Sequence, residues 1–279
     1  MYQYVVADVF TSTPLEGNPV AVLTDARGLP PARMQQITRE FNLSETVFVL
    51  PAEEGSDARV RIFTPAAELP FAGHPVLGTA YVLGAAGAQD TVRLETGAGV
   101  IRIDLTRENG QIVSGRMRQP IPEWAPYDRT GDLLAALGVK TAELPVEAYR
   151  NGPQHVYVAL ASEQEVAALQ PDLGALGKLP PAMGTVCFAG AGRHWKARNF
   201  APGLGVPEDP ATGSAAGPLA VHLSRHGRIA FGQEIEISQG AEIGRPSTLY
   251  ARATGDGDRI DSVEVAGAAV VVAHGELDA

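Results

Sequence analysis

The chain has 279 residues, 45% hydrophobic and 19% charged, with 22 basic against 32 acidic side chains and a formal net charge of -10. This length buries one large core or two of ordinary size without disulfides, and the composition excludes disordered and collagen-like classes. Without a Lys/Arg cluster or a stripe of interleaved aromatics, so acidic a chain lacks the electrostatic footprint of a nucleic-acid binder.

From the N-terminus, Met1-Tyr2-Gln3-Tyr4-Val5-Val6-Ala7-Asp8-Val9-Phe10 reads as a strand with no basic leader or cleavage site, so no export signal is expected. Apolar/polar alternation predicts further strands at 20–23, 46–50, 59–64, 92–96, 100–106, 155–160, 194–200, 234–238 and 263–273. Spacing of three and four predicts helices at 32–41, 74–84, 131–137, 163–169 and 214–226. Strands in runs, interrupted by single helices, argue for an α+β fold rather than regular βαβ alternation. The Pro-rich stretch 119–126 predicts a domain boundary. Cys187 is the sole cysteine; it forms neither an internal disulfide nor a thiolate metal cluster, which fits a reducing, cytoplasmic compartment. The apolar stretch 266–273 is far shorter than the ~20 residues of a membrane span.

Two stretches echo one another. Phe63-Thr64-Pro65 is followed by Phe71-Ala72-Gly73-His74-Pro75-Val76-Leu77-Gly78-Thr79-Ala80, and Phe200-Ala201-Pro202 by Ala211-Thr212-Gly213-Ser214-Ala215-Ala216-Gly217-Pro218-Leu219-Ala220. In each, a strand ends in Phe-x-Pro, a loop follows, and a glycine plus a small or polar residue opens an apolar helix. A helix N-terminus leaves its first N–H groups without intrahelical partners and carries about half a positive charge, so it attracts anions. Lacking a Cβ, Gly73 and Gly213 would let a carboxylate approach the amides of 73, 74, 213 and 214. Two such ends across a cleft would hold an anion although the whole protein is acidic. The plainer alternative is that each glycine makes a turn and that His74 and Ser214 cap their helices.

Five stretches follow one another along the chain: Gly17-Asn18-Pro19-Val20-Ala21-Val22, Ser44-Glu45-Thr46-Val47-Phe48, the 63–78 segment, Glu208-Asp209-Pro210-Ala211-Thr212-Gly213-Ser214-Ala215, and Gln239-Gly240 with Gly244-Arg245-Pro246-Ser247. In this order they resemble the signatures of PhzF-like proteins, a family named for phenazine biosynthesis. The resemblance covers nearly the whole chain. It implies the diaminopimelate-epimerase-like fold: two similar domains, each a central helix wrapped by a mostly antiparallel sheet, with the active site in the cleft between them. Residues 1–118, completed by a C-terminal strand at 264–279, would form the first domain and 119–263 the second. The resemblance also implies a cofactor-independent isomerase that shifts a proton on a small carboxylate, and a homodimer. Related epimerases of this fold carry a cysteine at each helix junction. His74 and Ser214 stand there instead, which excludes two-thiol racemisation and favours the PhzF-like subset with its glutamate at position 45. Val76 departs from the pattern, which usually has threonine, and bears on fine substrate contacts.

Moving a proton at carbon requires a base within reach and a sink for the developing charge. Glu45 is the candidate acid/base, with its pKa raised if a closing cleft buries it; the bland alternative is a solvated residue at a strand start. His74 and Asp209 are expected to orient and polarise the exchange, while Asn18, Gly73, Gly213 and Ser214 hold the substrate carboxylate. Ser214, His74 and Asp209 are also the side-chain types of a hydrolase triad, but the string around Ser214 lacks the Gly-x-Ser-x-Gly elbow. His222 and His226, four apart, lack a glutamate-linked zinc pattern. Gly97-Ala98-Gly99 and Gly190-Ala191-Gly192 are too short for a dinucleotide fingerprint. Neither metal nor cofactor is therefore expected. A non-catalytic protein binding a small carboxylate or a partner on this scaffold stays open.

Overall fold

The computed structural model describes residues 1–53, 55–87, 89–181 and 183–279. Its helices are α1 (Pro31–Phe41), α2 (Gly73–Ala86), α3 (Thr130–Leu137), α4 (Glu163–Ala168), α5 (Leu173–Leu176) and α6 (Gly213–Arg225). A first run of strands comprises β1 (Tyr2–Val9), β2 (Asn18–Leu23), β3 (Glu45–Leu50), β4 (Ala58–Phe63), β5 (Glu68–Leu69), β6 (Thr91–Thr96), β7 (Gly99–Glu108) and β8 (Gln111–Gln119). The second comprises β9 (Glu123–Pro126), β10 (Glu147–Arg150), β11 (Gln154–Ala159), β12 (Gly184–Ala191), β13 (His194–Ala201), β14 (Val206–Asp209), β15 (Glu234–Gln239), β16 (Ser247–Asp256) and β17 (Arg259–Gly267), and the chain ends on β18 (Ala269–Leu277).

The pairing makes one path twice. In the first half the order is β18–β1–β2–β3–β4–β6–β7–β8, and in the second β9–β10–β11–β12–β13–β15–β16–β17, with β5 beside β4 and β14 beside β13. The joins β2–β3 and β4–β6 are parallel, as are their counterparts β11–β12 and β13–β15, and the other pairings among the described residues are antiparallel. Parallel neighbours need a crossover. α1 and α2 supply the two crossovers of the first half, and α4 with α5, then α6, those of the second. β8 pairs with β17, so the two mixed sheets join into one hydrogen-bonded network. This is the α+β, epimerase-like architecture, with the sequence echo expressed as a topological repeat.

α2 and α6 are the cores of the two halves. Each is rich in small and apolar residues and is buried on nearly every side, the mark of an enclosed helix. Every residue of α6 from Gly213 to Ser224 is buried, and full burial of a side chain such as Leu77 or Leu219 contributes roughly 1.5–3 kcal/mol. α1, by contrast, buries only Met34, Ile37 and Thr38 and turns Arg33 and Arg39 outward.

The strand expected at 263–273 is in fact two. β17 ends at Gly267 and β18 begins at Ala269, while the Ala268 carbonyl accepts the Phe10 N–H at 2.8 Å. Residues before the break pair with β8 and β16, and those after it with β1. Alternation alone does not register such an exchange of partners. β12 was not anticipated as a strand because Gly184 to Ala189 are buried on both faces, which removes the alternation. No described helix is long and apolar enough to cross a membrane.

Candidate functional site

The N-termini of α2 and α6 abut backbone to backbone. A Cβ placed on Gly73 would lie 2.5 Å from Ser214 N and 2.7 Å from Gly213 Cα, and nearer still to Gly213 C; one on Gly213 would lie 2.9 Å from His74 N. Real side chains do not tolerate such approaches, so both junctions require glycine for closeness rather than for an unusual φ. Neither helix has a side-chain cap: the N-cap residues are Ala72 and Thr212, and the Thr212 hydroxyl is turned to Asp209. The alternative in which His74 and Ser214 serve as caps is thereby overturned. The first-turn N–H groups of two helices are left without side-chain partners at one point.

Local sequence explains how α6 can start there. Pro218 has no N–H, so the Ser214 carbonyl loses its helical partner. The Asn151 amide donates to that carbonyl at 3.1 Å, Gln119 donates to Gly213 O at 2.8 Å, and the Tyr157 hydroxyl donates to Ala215 O at 2.8 Å. Gly217 makes room for Gln119, whose Oε1 would collide with any Cβ at that position.

Around this junction lies a buried acid/base cluster. Glu45 opens β3, with its Oε2 3.4 Å from His74 Nε2. Asp209, at the end of β14, accepts from Asn18 Nδ2 at 2.8 Å, Ser44 Oγ at 3.1 Å and Thr212 Oγ1 at 2.6 Å. Asn18 Nδ2 also donates to Ala211 O at 2.8 Å and lies 3.1 Å from His74 Nδ1. An amide has two hydrogens, and the two shorter contacts use both. His74 Nδ1 therefore receives no hydrogen from Asn18, and His74 Nε2 faces Glu45 without a hydrogen-bond partner.

Burial shifts every titratable group of this cluster toward its neutral form. Burial pushes the Glu45 carboxyl well above the usual carboxylate range, and the charge of Asp209 adds to the effect. Burial also lifts Asp209 to about 6, against the opposing hydrogen bonds from Thr212, Asn18 and Ser44. It holds His74 down at about 3 and His155 at about 4. Burial thus disfavours a charged Glu45–His74 pair, and at 3.4 Å neither Glu45 Oε2 nor His74 Nε2 has a hydrogen-bond partner.

Glu45, Asp209, His155 and Ser214 line a small, partly open cavity of about 40 Å³ with Leu69, Pro153 and Leu204. A larger open groove lies beside α1 and β4, but Arg59 pairs with Glu53 at 3.1 Å and Arg61 with Glu68 at 2.6 Å, and no buried acid/base pair lines it among the described residues.

All seven residues singled out from sequence converge here: Asn18, Glu45, Gly73, His74, Asp209, Gly213 and Ser214. Thr212, Gln239 and His155 join them without having been anticipated. Gln239 Nε2 donates to the Asp209 carbonyl at 2.7 Å and to Thr212 Oγ1 at 3.0 Å, and its place in the Gln-Gly motif was the available signal. His155 Nε2 lies 3.0 Å from Ser214 Oγ, a partner that strand alternation gives no means of finding. The triad composed of Ser214, His74 and Asp209 is not assembled. Ser214 faces His155, whose Nδ1 has no hydrogen-bond partner and therefore no orienting carboxylate.

A second cluster lies near the end of α6. Glu147 Oε2 accepts from Tyr149 at 2.9 Å, Arg225 at 2.9 Å, His226 at 3.0 Å and His222 at 3.2 Å. The spacing of His222 and His226 does serve a shared carboxylate. The Arg225 guanidinium fills the place a cation would take, so the group reads as a latch tying α6 to β10.

Similarity to known proteins spans nearly the whole chain. The family model described as phenazine biosynthesis-like protein matches residues 7–275. The trans-2,3-dihydro-3-hydroxyanthranilate isomerase of Pseudomonas aeruginosa is 55% identical over 275 residues, which cover 99% of each chain. The crystal structure of the Bacillus anthracis phenazine biosynthesis protein of the PhzF family superposes with a TM-score of 0.86 at 26% identity, over 100% of this chain and 99% of that one. A probable proline racemase from Agrobacterium radiobacter shares the fold alone, with a TM-score of 0.69 at 13% identity over 100% of this chain and 93% of that one.

Proposed function

The chain belongs to the phenazine biosynthesis-like protein family and is an isomerase, and from that premise we propose that it relocates a proton between carbons of a small cyclic carboxylate. Trans-2,3-dihydro-3-hydroxyanthranilate, the compound in the name of the Pseudomonas relative, is the substrate to test first. The observation that carries this reading is the buried Glu45 carboxyl, 3.4 Å from His74 Nε2 and next to two helix starts without side-chain caps, where burial favours its protonated form.

The substrate carboxylate binds the amides of Gly73, His74, Gly213 and Ser214, where both helix dipoles favour negative charge. Glu45 donates its proton to an unsaturated ring carbon and, as carboxylate, takes one from another carbon, so one C–H bond forms, one breaks and the enzyme is regenerated. The balance closes without an oxidant, a reductant or a cofactor. His74 Nε2 lies against the Glu45 oxygen to orient it when substrate draws the two together, and Asp209, kept by Asn18, Ser44 and Thr212, sets the local charge. A cavity of about 40 Å³ is too small for the ring, since ligand pockets run to ~300 Å³ or more. Substrate therefore enters by separation of the two halves near Leu69, Pro153 and Leu204.

The test is deuterium incorporation from heavy water into that substrate, followed by NMR. Glu45→Gln keeps size and hydrogen-bonding reach, so binding persists while exchange falls at least ~10²-fold. Exchange that survives Glu45→Gln at the wild-type rate would exclude Glu45 as the acid/base. The reading extends to a homodimer: β18 is paired only with β1 among the described strands and leaves Val271 exposed. Sedimentation at micromolar concentration is expected to give twice the chain mass.

A further inference from the structure

The Gly244-Arg245-Pro246-Ser247 motif lies outside the cavity, yet its contacts lead into it. Arg245 Nε donates to the Gly17 carbonyl at 2.8 Å, and its NH2 donates to the Glu16 carbonyl at 2.8 Å and to Asp8 Oδ1 at 2.6 Å. Asp8 is buried, and its other oxygen accepts the Leu15 N–H at 2.7 Å. The Gly17 N–H donates to Pro246 O at 3.1 Å, and the Thr248 N–H to Phe10 O at 2.8 Å. One guanidinium from the second half thus grips the loop of the first half that ends at Asn18.

That loop is strained and does not hold its shape by local preference. Phe10 and Leu15 both sit in the left-handed region, at φ 65° and 70°. Non-glycine residues there cost of the order of 1–3 kcal/mol each and persist only where the surroundings over-determine them. On the other side of the grip, Gly240 at φ 81° packs so close to Pro210 that a Cβ would lie 2.5 Å from its carbonyl oxygen, and the Arg245 N–H donates to Gly240 O at 3.0 Å. Gln239, the preceding residue, holds the Asp209 carbonyl and Thr212. Both grips on Asp209, from Asn18 and from Gln239, therefore leave from the same loop-to-loop junction.

We infer that Arg245 is a positioning residue: by clamping Asp8 and the 16–17 carbonyls it holds the strained loop in the shape that aims Asn18 at Asp209 across the two halves. The inference rests on the reading of Asp209 as part of the proton-moving cluster, but its test needs no turnover. Asp209 is faced by Glu45 at the start of β3, His155 on β11, and Glu208, itself paired with Arg198 at 2.8 Å, while His74 on α2 reaches it only through Asn18 Nδ2. The Asn18 hydrogen bond is one of the contacts that hold its carboxyl down. Releasing Asn18 raises the Asp209 titration midpoint.

The experiment is a pH titration of the Asp209 carboxyl carbon by NMR in 13C-aspartate-labelled protein, assigned through Asp209→Asn. Arg245→Lys keeps the charge but loses the planar fork that serves three acceptors, so it and Arg245→Gln are both expected to move the midpoint up by roughly 0.5 pH unit or more. Asn18→Ala moves it in the same direction, and adding Arg245→Lys to Asn18→Ala moves it no further. Should Arg245→Gln fail to fold, Arg245→Lys and Asp8→Asn provide the same comparison. Wild-type midpoints in the Arg245 variants beside a shifted Asn18→Ala overturn the clamp, as does a shift in Arg245→Gln that Arg245→Lys lacks, which would mark a charge effect. Loss of wild-type deuterium exchange would instead count against the proposed function and leave this titration readable.

Discussion

Gly73→Ala isolates the contact on which the site depends. The added Cβ would lie 2.5 Å from Ser214 N and 2.7 Å from Gly213 Cα, whereas ordinary carbon contacts begin at about 3.5 Å. Relieving the overlap needs a separation of roughly 1 Å, and the opposing atoms are helix backbone, which cannot swing aside as a flexible side chain does. Overpacking of this kind costs typically 1–3 kcal/mol, equivalent to a fall in Tm on the order of 2–10 °C for a chain of this size. Catalysis is hit harder, because a displacement of about 1 Å in positioning groups costs on the order of 10²-fold. Calorimetry and deuterium exchange should be run beside Gly131→Ala, where nothing lies within 4 Å of the new methyl and a gain of about 0.4–1 kcal/mol is expected. A Gly73→Ala protein that melts with the wild type and exchanges at the same rate would refute the argument that the two helix starts must touch.

Asp209 has its folded pKa raised from 3.8 to about 6, so its stabilising contribution is present below pH ~4 and is lost as pH rises through 6. At ~1.4 kcal/mol per unit this amounts to about 3 kcal/mol. Urea unfolding of Asp209→Asn should therefore show a flatter stability profile between pH 4 and 7 than the wild type; an unchanged slope refutes the buried carboxyl. For Asn151→Ala, the orphaned Ser214 carbonyl should cost about 1–3 kcal/mol. Pro218→Ala restores an N–H for that carbonyl, so the Asn151→Ala penalty should shrink in its presence, and denaturant melts of the four proteins in the cycle measure the coupling.

The sequence by itself determined the α+β class and the two helix junctions through local rules, and the family resemblance in its motifs supplied Glu45, Asp209 and Asn18 as candidates. Alternation marks half-buried strands, an apolar run after Gly-His or Gly-Ser marks an enclosed helix, and glycine at 73 and 213 marks a place with no room for a side chain. Other features only the tertiary structure decided, since they are contacts between segments far apart in the chain. The break at Ala268 is an exchange of pairing partners, which leaves the run of valines unaltered. His155 meets Ser214, and Arg245 meets Asp8 and Gly17, over separations of 59, 237 and 228 residues, beyond the reach of any periodicity. The protonation states of the cluster also needed the structure. A carboxyl becomes neutral through the water it has lost and the charge beside it, and both Glu45 and Asp209 acquire that environment only when the two halves close upon each other.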